Sequence, residues 1–244
     1  MHLSVIIPTY NERDNIVLLL WLLREYLKDQ PGPDGRQLEW EVVVVDDGSP
    51  DGTTSVVWAL IEAGATIACN VKLVRRSKKL GLGSAYGAGL QEATGDWVVL
   101  LDGDFSHHPR YIPRMLAKQA ATGCDIVSGT RYAPGGGVAG WTLMRKVISR
   151  GANLLASTLL GAQTSDLTGA FRLYRRPVLQ RLLEQCTCRG YAFQMEVVIR
   201  AERSKCSVTE LPIIFVDRLY GTSKLGAGEF LGFIRGLGML WRTL

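Results

Sequence analysis

Asp102-Gly103-Asp104 places two carboxylates one residue apart, directly after the apolar run Trp97-Val98-Val99-Leu100-Leu101. Where a chain leaves a sheet, such a pair can bind a divalent cation that also holds a diphosphate. Mg2+ and Mn2+ favour oxygen ligands and keep coordination positions for phosphate oxygens. The intervening Gly103 lets the backbone approach a ligand closely. Spacing alone makes D-x-D a weak signal, and its place at a strand end strengthens it. A second acidic pair, Asp46-Asp47, follows Glu41-Val42-Val43-Val44-Val45 and can accept hydrogen bonds from a base or a ribose. The stretch from Asp47 to Thr53 also reads as turn chemistry. The two readings are compatible, with Asp51 or Thr53 capping the next helix while Asp47 faces a crevice.

Other motifs carry less. Gly81-Leu82-Gly83 has Tyr86 where a dinucleotide fingerprint needs its third glycine, and no phosphate-binding P-loop is present. Lys78 and Lys79 with these glycines suit either a loop near the crevice or a purely structural turn. His107-His108 precede Pro109, which opens a helix. Histidine is not a first choice for magnesium, so both are expected outside the site, an orienting role remaining open. The five cysteines, Cys69, Cys124, Cys186, Cys188 and Cys206, have no zinc spacing and read as free thiols of a reducing compartment.

The elements that must position these residues alternate in type. Apolar runs at Leu3–Ile7, Glu41–Val45, Val71–Val74, Trp97–Leu101 and Asp125–Ser128 read as buried strands. Helical patterns separate them at about Asn15–Lys28, Thr53–Ala63 and Gly83–Ala93. Strands without polar alternation between helices require a parallel sheet covered on both faces. The expected fold is therefore α/β and doubly wound, with ligands beyond the carboxyl ends of the strands. Pro8 to Glu12, Asp46 to Ser49, Arg75-Arg76 and Asp102 to Asp104 should then converge on one crevice. Beyond Thr130 the reading is a mobile loop at Pro134–Gly137, a long helix at Trp141–Leu160 and a strand at Ala170–Tyr174. Helices at Pro177–Glu184 and Phe193–Arg203, one strand at Val208–Phe215 and an apolar segment at Glu229–Trp241 complete it. No linker divides the chain, so residues 1–244 are read as one domain.

With 47% hydrophobic and 21% charged residues, the composition is that of a folded globular protein. Leu3–Ile7 is too short for a signal-peptide core, and the run Ile16–Leu23 is under half of the ~20 residues a membrane-spanning helix needs. The net charge of +5 is uneven: no acidic residue lies between Asp125 and Asp166, while Arg131, Arg145, Lys146 and Arg150 do. Such an excess suits an anionic partner or a solvated basic surface. The basic residues lack interleaved aromatic stacking positions, which argues against nucleic acid.

Six motifs occur in order: PTYNE at Pro8–Glu12, DDGSPDGT at Asp46–Thr53, DGDFSHHP at Asp102–Pro109, SGTRY at Ser128–Tyr132, SDLTGAFRLY at Ser165–Tyr174 and FVDRLYGTSK at Phe215–Lys224. Together, and with ISRGANLL at Ile148–Leu155, they resemble family 2 glycosyltransferases of the GT-A fold, specifically the catalytic subunits of dolichol-phosphate mannosyltransferases. The resemblance covers Leu3 to about Gly232.

It implies a central, mostly parallel sheet flanked by helices, and transfer of mannose from GDP-mannose to dolichyl phosphate with inversion. The product would serve protein glycosylation and GPI-anchor synthesis. Pro8, Tyr10, Glu12, Val45 and Asp47 would surround the guanosine. Asp102, Gly103 and Asp104 would meet the diphosphate and a Mg2+ or Mn2+ ion, with Asp104 the surest ligand and Ser106 a weaker one where some relatives have glutamine. The middle residue of D-x-D is usually alanine in that group, so Gly103 is a small departure. Arg131, Arg218 and Lys224 would bind donor phosphates, while Arg131, Arg145 and Ser149 would grip the acceptor phosphate. Asp104 and Arg131 are the residues implied to be catalytic; Asp166 and Glu196 are expected to support folding or orientation. Residues 131–160 and 217–244 would face the acceptor and the membrane. Peripheral attachment through small transmembrane partner subunits, on the cytosolic face of the endoplasmic reticulum, is implied as well. A related enzyme using another donor such as UDP-glucose, or a silent nucleotide-binding subunit, are the alternatives.

Overall fold

Four of the apolar runs become adjacent parallel strands: β1 (His2–Thr9), β2 (Glu39–Asp46), β3 (Val71–Arg75) and β4 (Trp97–Leu100). This is a computed structural model, and it describes residues 1–32, 35–188, 192–218 and 227–243. With β5 (Ile126–Thr130), β7 (Arg172–Arg175) and β8 (Val208–Pro212), these strands form a seven-stranded sheet in the order β3-β2-β1-β4-β7-β5-β8. Only β7 runs antiparallel to its neighbours, so the sheet is mostly parallel, as expected.

Because successive strand residues point to opposite faces, continuous apolar runs build two cores. Leu3, Val5, Ile7, Val42, Val44 and Val99 pack under α1 (Arg13–Leu27), α2 (Thr53–Glu62) and α4 (Tyr111–Thr122). Ile6, Val43, Val45, Val98 and Leu100 pack under α3 (Leu82–Glu92), α5 (Leu143–Leu160), α6 (Arg176–Gln185), α7 (Ala192–Arg203) and α8 (Ala227–Thr243). Helix α3 lies close to the sheet because Gly89 has no side chain; a Cβ there would meet Ile6 Cγ2 at 2.5 Å.

Two expectations change. The run Val208–Phe215 is not one strand: it breaks after Pro212, where the Ile213 amide donates to the Thr130 carbonyl at 2.9 Å. Its remainder, β9 (Ile214–Val216), leaves the main sheet and pairs in parallel with β6 (Gly137–Ala139). Gly137 therefore belongs to a strand rather than to a mobile loop, since its amide is held by the Ile213 carbonyl at 3.0 Å. Apolar patterning could not separate these pairings, as a strand that switches sheets keeps its hydrophobicity.

At the amino-terminal edge of the sheet, the buried Glu41 carboxylate accepts from Ser4 Oγ at 2.7 Å, Thr94 N at 2.6 Å and Thr94 Oγ1 at 2.8 Å, and pairs with Lys72 Nζ at 2.7 Å. Burial opposes its charge, but these donors outweigh it and hold its pKa at about 2 instead of 4.5. A depressed carboxylate contributes stability that is present above the unfolded pKa and is lost as pH falls through the folded one. Glu41→Gln should lower stability by about 1–3 kcal/mol at neutral pH, and thermal melts between pH 5 and pH 2 should show a shallower acid loss than the native chain.

Candidate active site

The loops that follow β1 and β2 are laced together by one carboxylate. Asp46, fully buried, accepts from Thr9 Oγ1 at 2.9 Å, Ser49 N at 2.9 Å, Ser49 Oγ at 2.6 Å and Thr54 Oγ1 at 2.6 Å. Ser49 Oγ then accepts the Asn11 amide at 2.9 Å, and Thr53 Oγ1 accepts the Glu12 amide at 3.0 Å. Asn11 sits at φ 57, a left-handed conformation asparagine tolerates, which turns the chain into α1. Gly52 holds the N-cap position of α2, and Asp51 accepts the Thr53 amide at 2.9 Å. The two readings of this segment divide by residue: Asp46 and Asp51 shape the turn, and Asp47 lies 3.2 Å from Arg76 Nη1. Burial raises the Asp47 pKa, and the Arg76 charge opposes the rise. Pro8 and Val45 close the strand ends beside them, and Lys79 Nζ lies 5.5 Å from the centre of the Tyr10 ring, so the loop 78–81 borders the crevice, while Leu82 and Gly83 already belong to α3.

The D-x-D turn leaves β4 next to these loops, where Leu101 N donates to Ile6 O at 3.1 Å. Asp104 Oδ1 accepts the Ser106 amide at 3.1 Å, and Asp104 Oδ2 lies 3.2 Å from Arg218 Nη2. Asp102 Oδ2 is 3.5 Å from His107 Nδ1, which is itself 3.3 Å from Ser106 Oγ. His107 therefore belongs to the site, contrary to expectation, wedged between Phe171 and Phe215 at 5.3 and 5.1 Å. Burial pushes its pKa down to about 4 against the pull of Asp104, so the ring is neutral at physiological pH. His108 does lie outside, stacking edge-on against Tyr26 and accepting the Arg110 amide at 3.2 Å. Among the described residues no cluster of three or more His, Cys, Asp or Glu could by itself enclose a metal ion. Two hard carboxylates in an open turn fit instead a cation such as Mg2+ that leaves positions for phosphate and water. A Cβ on Gly103 would stand 3.4 Å from Glu12 Cγ and Thr9 Cγ2, so the turn has room for a methyl group.

The facing wall is built from distant segments. Arg131, nearly fully buried, donates from Nε to Asp166 Oδ2 at 2.6 Å and from Nη2 to Asp166 Oδ1 at 2.7 Å and Thr168 Oγ1 at 2.7 Å. Its guanidinium carbon lies 5.6 Å from the centre of the Trp141 ring, and that of Arg145 lies 4.1 Å from the same ring. Arg145 also meets Asp217 Oδ2 at 2.9 Å, a counter-ion delivered by the end of β9 to a segment without acids of its own. Ser149 Oγ shares a hydrogen bond with Tyr132 OH at 2.7 Å. Thus Asp166 acts as an orienting residue for Arg131. Glu196 is remote in role: it accepts the Thr187 and Cys188 amides at 3.0 and 2.6 Å and pairs with Arg200. Lys224 and residues 219–223 of its motif lie outside the described residues. Trp141, which the sequence reading placed only at the start of a long helix, joins Tyr132 and Phe215 of the quoted motifs in an aromatic wall around Arg131.

The model of glycosyl transferase family 2 matches residues 4–183. The chain is 38% identical over 234 residues to the polyprenol monophosphomannose synthase of Mycolicibacterium smegmatis, spanning 92% of this chain and 81% of that protein. It is 37% identical over 232 residues to the undecaprenyl-phosphate mannosyltransferase of Micrococcus luteus, spanning 93% and 89%. Against the dolichol-phosphate mannosyltransferase of Pyrococcus furiosus it is 35% identical over 237 residues, spanning 96% of this chain but only 62% of that one. Among solved structures, glucosyl-3-phosphoglycerate synthase from Mycobacterium tuberculosis with Mn2+, UDP and phosphoglyceric acid matches at a TM-score of 0.69 and 19% identity, over 98% of this chain and 78% of that chain. Its complex with Mg2+ and UDP matches at 0.67 and 20%, over 98% and 79%. At that identity the likeness concerns the fold, which is of the GT-A type.

The room at residue 103 has a measurable consequence. Gly103→Ala should stay within about 0.5 kcal/mol of the native stability, by thermal melting. Gly103→Val, branching toward Glu12 and Thr9, should lower stability by about 1–3 kcal/mol, read from the same melts.

Proposed function

Because this chain belongs to glycosyl transferase family 2, we propose that it transfers mannose from GDP-mannose to dolichyl phosphate with inversion, releasing GDP and a β-linked mannosyl phosphate lipid. The observation that carries this reading is the nearness of two charged groups. Asp102 and Asp104 with Arg218 form one, Arg131 and Arg145 around Trp141 form the other, and the Phe215 ring joins them, 5.1 Å from His107 beside Asp102 and 5.5 Å from the Arg131 guanidinium. The three relatives, named for mannose transfer to or synthesis on polyprenol, undecaprenyl and dolichol phosphates, support a polyprenyl phosphate as acceptor.

In this scheme Pro8, Tyr10, Glu12, Val45 and Asp47 line the guanosine pocket. Asp102 and Asp104, with Ser106 as a weaker ligand, would hold Mg2+ or Mn2+, whose charge offsets that gathering on the departing diphosphate. Arg218 adds a fixed cation beside Asp104, with Lys224 assigned the same task. The acceptor phosphate has a second pKa of about 6, as in other phosphomonoesters, and is mostly dianionic at neutral pH. It attacks the anomeric carbon directly; the bond from that carbon to the diphosphate oxygen breaks, and GDP leaves with the electron pair. No general base is needed, in keeping with carboxylates that are already engaged: Asp47 by Arg76, Asp104 by Arg218 and Asp166 by Arg131. Arg131, Arg145 and Ser149 hold the acceptor phosphate on the side facing the donor.

Helix α5 supports a lipid substrate. Leu143, Met144 and Leu154 are 78%, 68% and 69% exposed, and Val147 and Ile148 more than half exposed, beside Arg145, Lys146 and Arg150. Ile234 and Trp241 of α8, which packs against α5, are exposed too. No helix among the described residues is long and apolar enough to cross a membrane. An apolar face bordered by basic residues suits the plane of an anionic bilayer. The proposal extends to the cytosolic face of the endoplasmic reticulum, with small transmembrane partner subunits. Co-expression with candidate partners followed by membrane fractionation tests that part, and full membrane binding and activity without any partner would reject it.

The decisive assay combines GDP-mannose, dolichyl phosphate and detergent, with and without divalent metal, and with UDP-glucose as the competing donor. Mannose transfer that stops on chelation and falls by at least about 100-fold in Asp104→Ala is the expected result. Faster transfer from UDP-glucose, or GDP binding without turnover, would reject it. Arg145→Ala should raise the KM for dolichyl phosphate by about tenfold, or ~1.4 kcal/mol, with little change for GDP-mannose; the opposite pattern would remove Arg145 from the acceptor site.

A further inference from the structure

Arg172 opens β7, the antiparallel strand between β4 and β5. Its register partners are Leu100, two residues before Asp102, and Ser128, three residues before Arg131. It therefore lies beneath the junction of the two walls. The residue is fully buried, yet among the described residues it forms no salt bridge. Its guanidinium donates instead to neutral oxygens: Ser128 Oγ at 3.1 Å, the Gln194 carbonyl at 2.9 Å and the carbonyls of Asp166 and Leu167 at 3.2 and 3.3 Å.

A buried cation without a carboxylate is expensive to desolvate, and an apolar residue of similar volume would fill the space at lower cost. What an apolar residue could not do is clamp the Asp166 and Leu167 carbonyls from below. That clamp orders the turn whose Asp166 carboxylate holds Arg131 by two short charge-assisted bonds. On the other side, Gln194 donates to the hydroxyl of the buried Tyr86 at 3.2 Å, so the network reaches from α7 to α3.

We propose that Arg172 is a positioning residue for the transfer, fixing Arg131 through the Asp166–Leu167 turn. The inference rests on the reading that Arg131 meets the acceptor phosphate. Two readouts test it. In kinetics, Arg172→Lys keeps the charge but loses the fork, and should lower kcat/KM for dolichyl phosphate by about tenfold while leaving the KM for GDP-mannose within about twofold. In an Arg131→Lys background the same change should cost less than about threefold, because residues acting through one another are not additive. The second readout needs no turnover. The Arg131 Nε–H, identified in 15N–1H spectra by its absence from Arg131→Lys, should shift or broaden in Arg172→Lys. Equal kinetic costs in both backgrounds, or an unchanged Arg131 signal, would overturn the proposal. If the native chain transfers no mannose, the functional reading fails while the Arg131 signal still decides the positioning role. Should Arg172→Lys not fold, Ser128→Ala, which removes one acceptor only, should move the same signal by a smaller amount.

Discussion

Asp166 carries its negative charge in a place where water does not reach. Burial opposes that charge, and the Arg131 guanidinium together with backbone amides holds the pKa below the ordinary carboxylate range. Each partner of the pair neutralises a charge that would otherwise be stranded in the interior. Much of the facing wall is attached to this pair. Thr168 bonds to Arg131, Asn153 of α5 reaches both Thr168 and the Leu167 amide, and the guanidinium of Arg131 lies near the rings of Tyr132, Trp141 and Phe215. Helix α5, with its exposed apolar face, is thereby joined to the buried charge through one polar residue.

The two walls are assembled by different means. The donor side uses the ends of neighbouring parallel strands, so its geometry follows from strand register: Thr9 opposite Asp46, and Asp46 opposite Arg75. Its loops need only short hydrogen bonds between adjacent turns, chiefly to Asp46. The facing wall gathers residues from β5, the β6–β9 pair, α5 and the turn before β7, and their meeting depends on β9 leaving the main sheet. The Val216 amide donates to the Ser106 carbonyl at 3.1 Å, which ties that small sheet to the D-x-D turn and closes the crevice from one side.

Much of the donor side was legible without coordinates. Valine runs such as 42–45 with polar residues at their ends announce buried parallel strands, and the crevice rule then brings Asp47 and Asp102 together. His107 was misjudged because its residue type argued against metal ligation, whereas its burial between two phenylalanines makes it a neutral support for Asp102. The break at Pro212 was missed because Leu211 and the apolar run Ile213 to Val216 read as one strand, although a proline inside such a run marks where a ladder breaks. The acid-free stretch around Arg145 suggested an anionic partner or a solvated basic surface; neither reading foresaw that Asp217, more than seventy positions later, pairs with Arg145.

Local order in the chain determined the elements and the residues at their ends, because hydrophobic period and turn chemistry act over a few positions. It also supplied the co-linear motifs from which the family and its chemistry could be expected. Which charges meet was decided only by the tertiary structure. Asp166 with Arg131, Asp217 with Arg145, Asp104 with Arg218, and the buried Arg172 with Ser128 and Gln194 all join segments far apart in sequence. Electrostatic partnership depends on distance and exclusion of water, and neither is fixed until the sheet has closed over both cores.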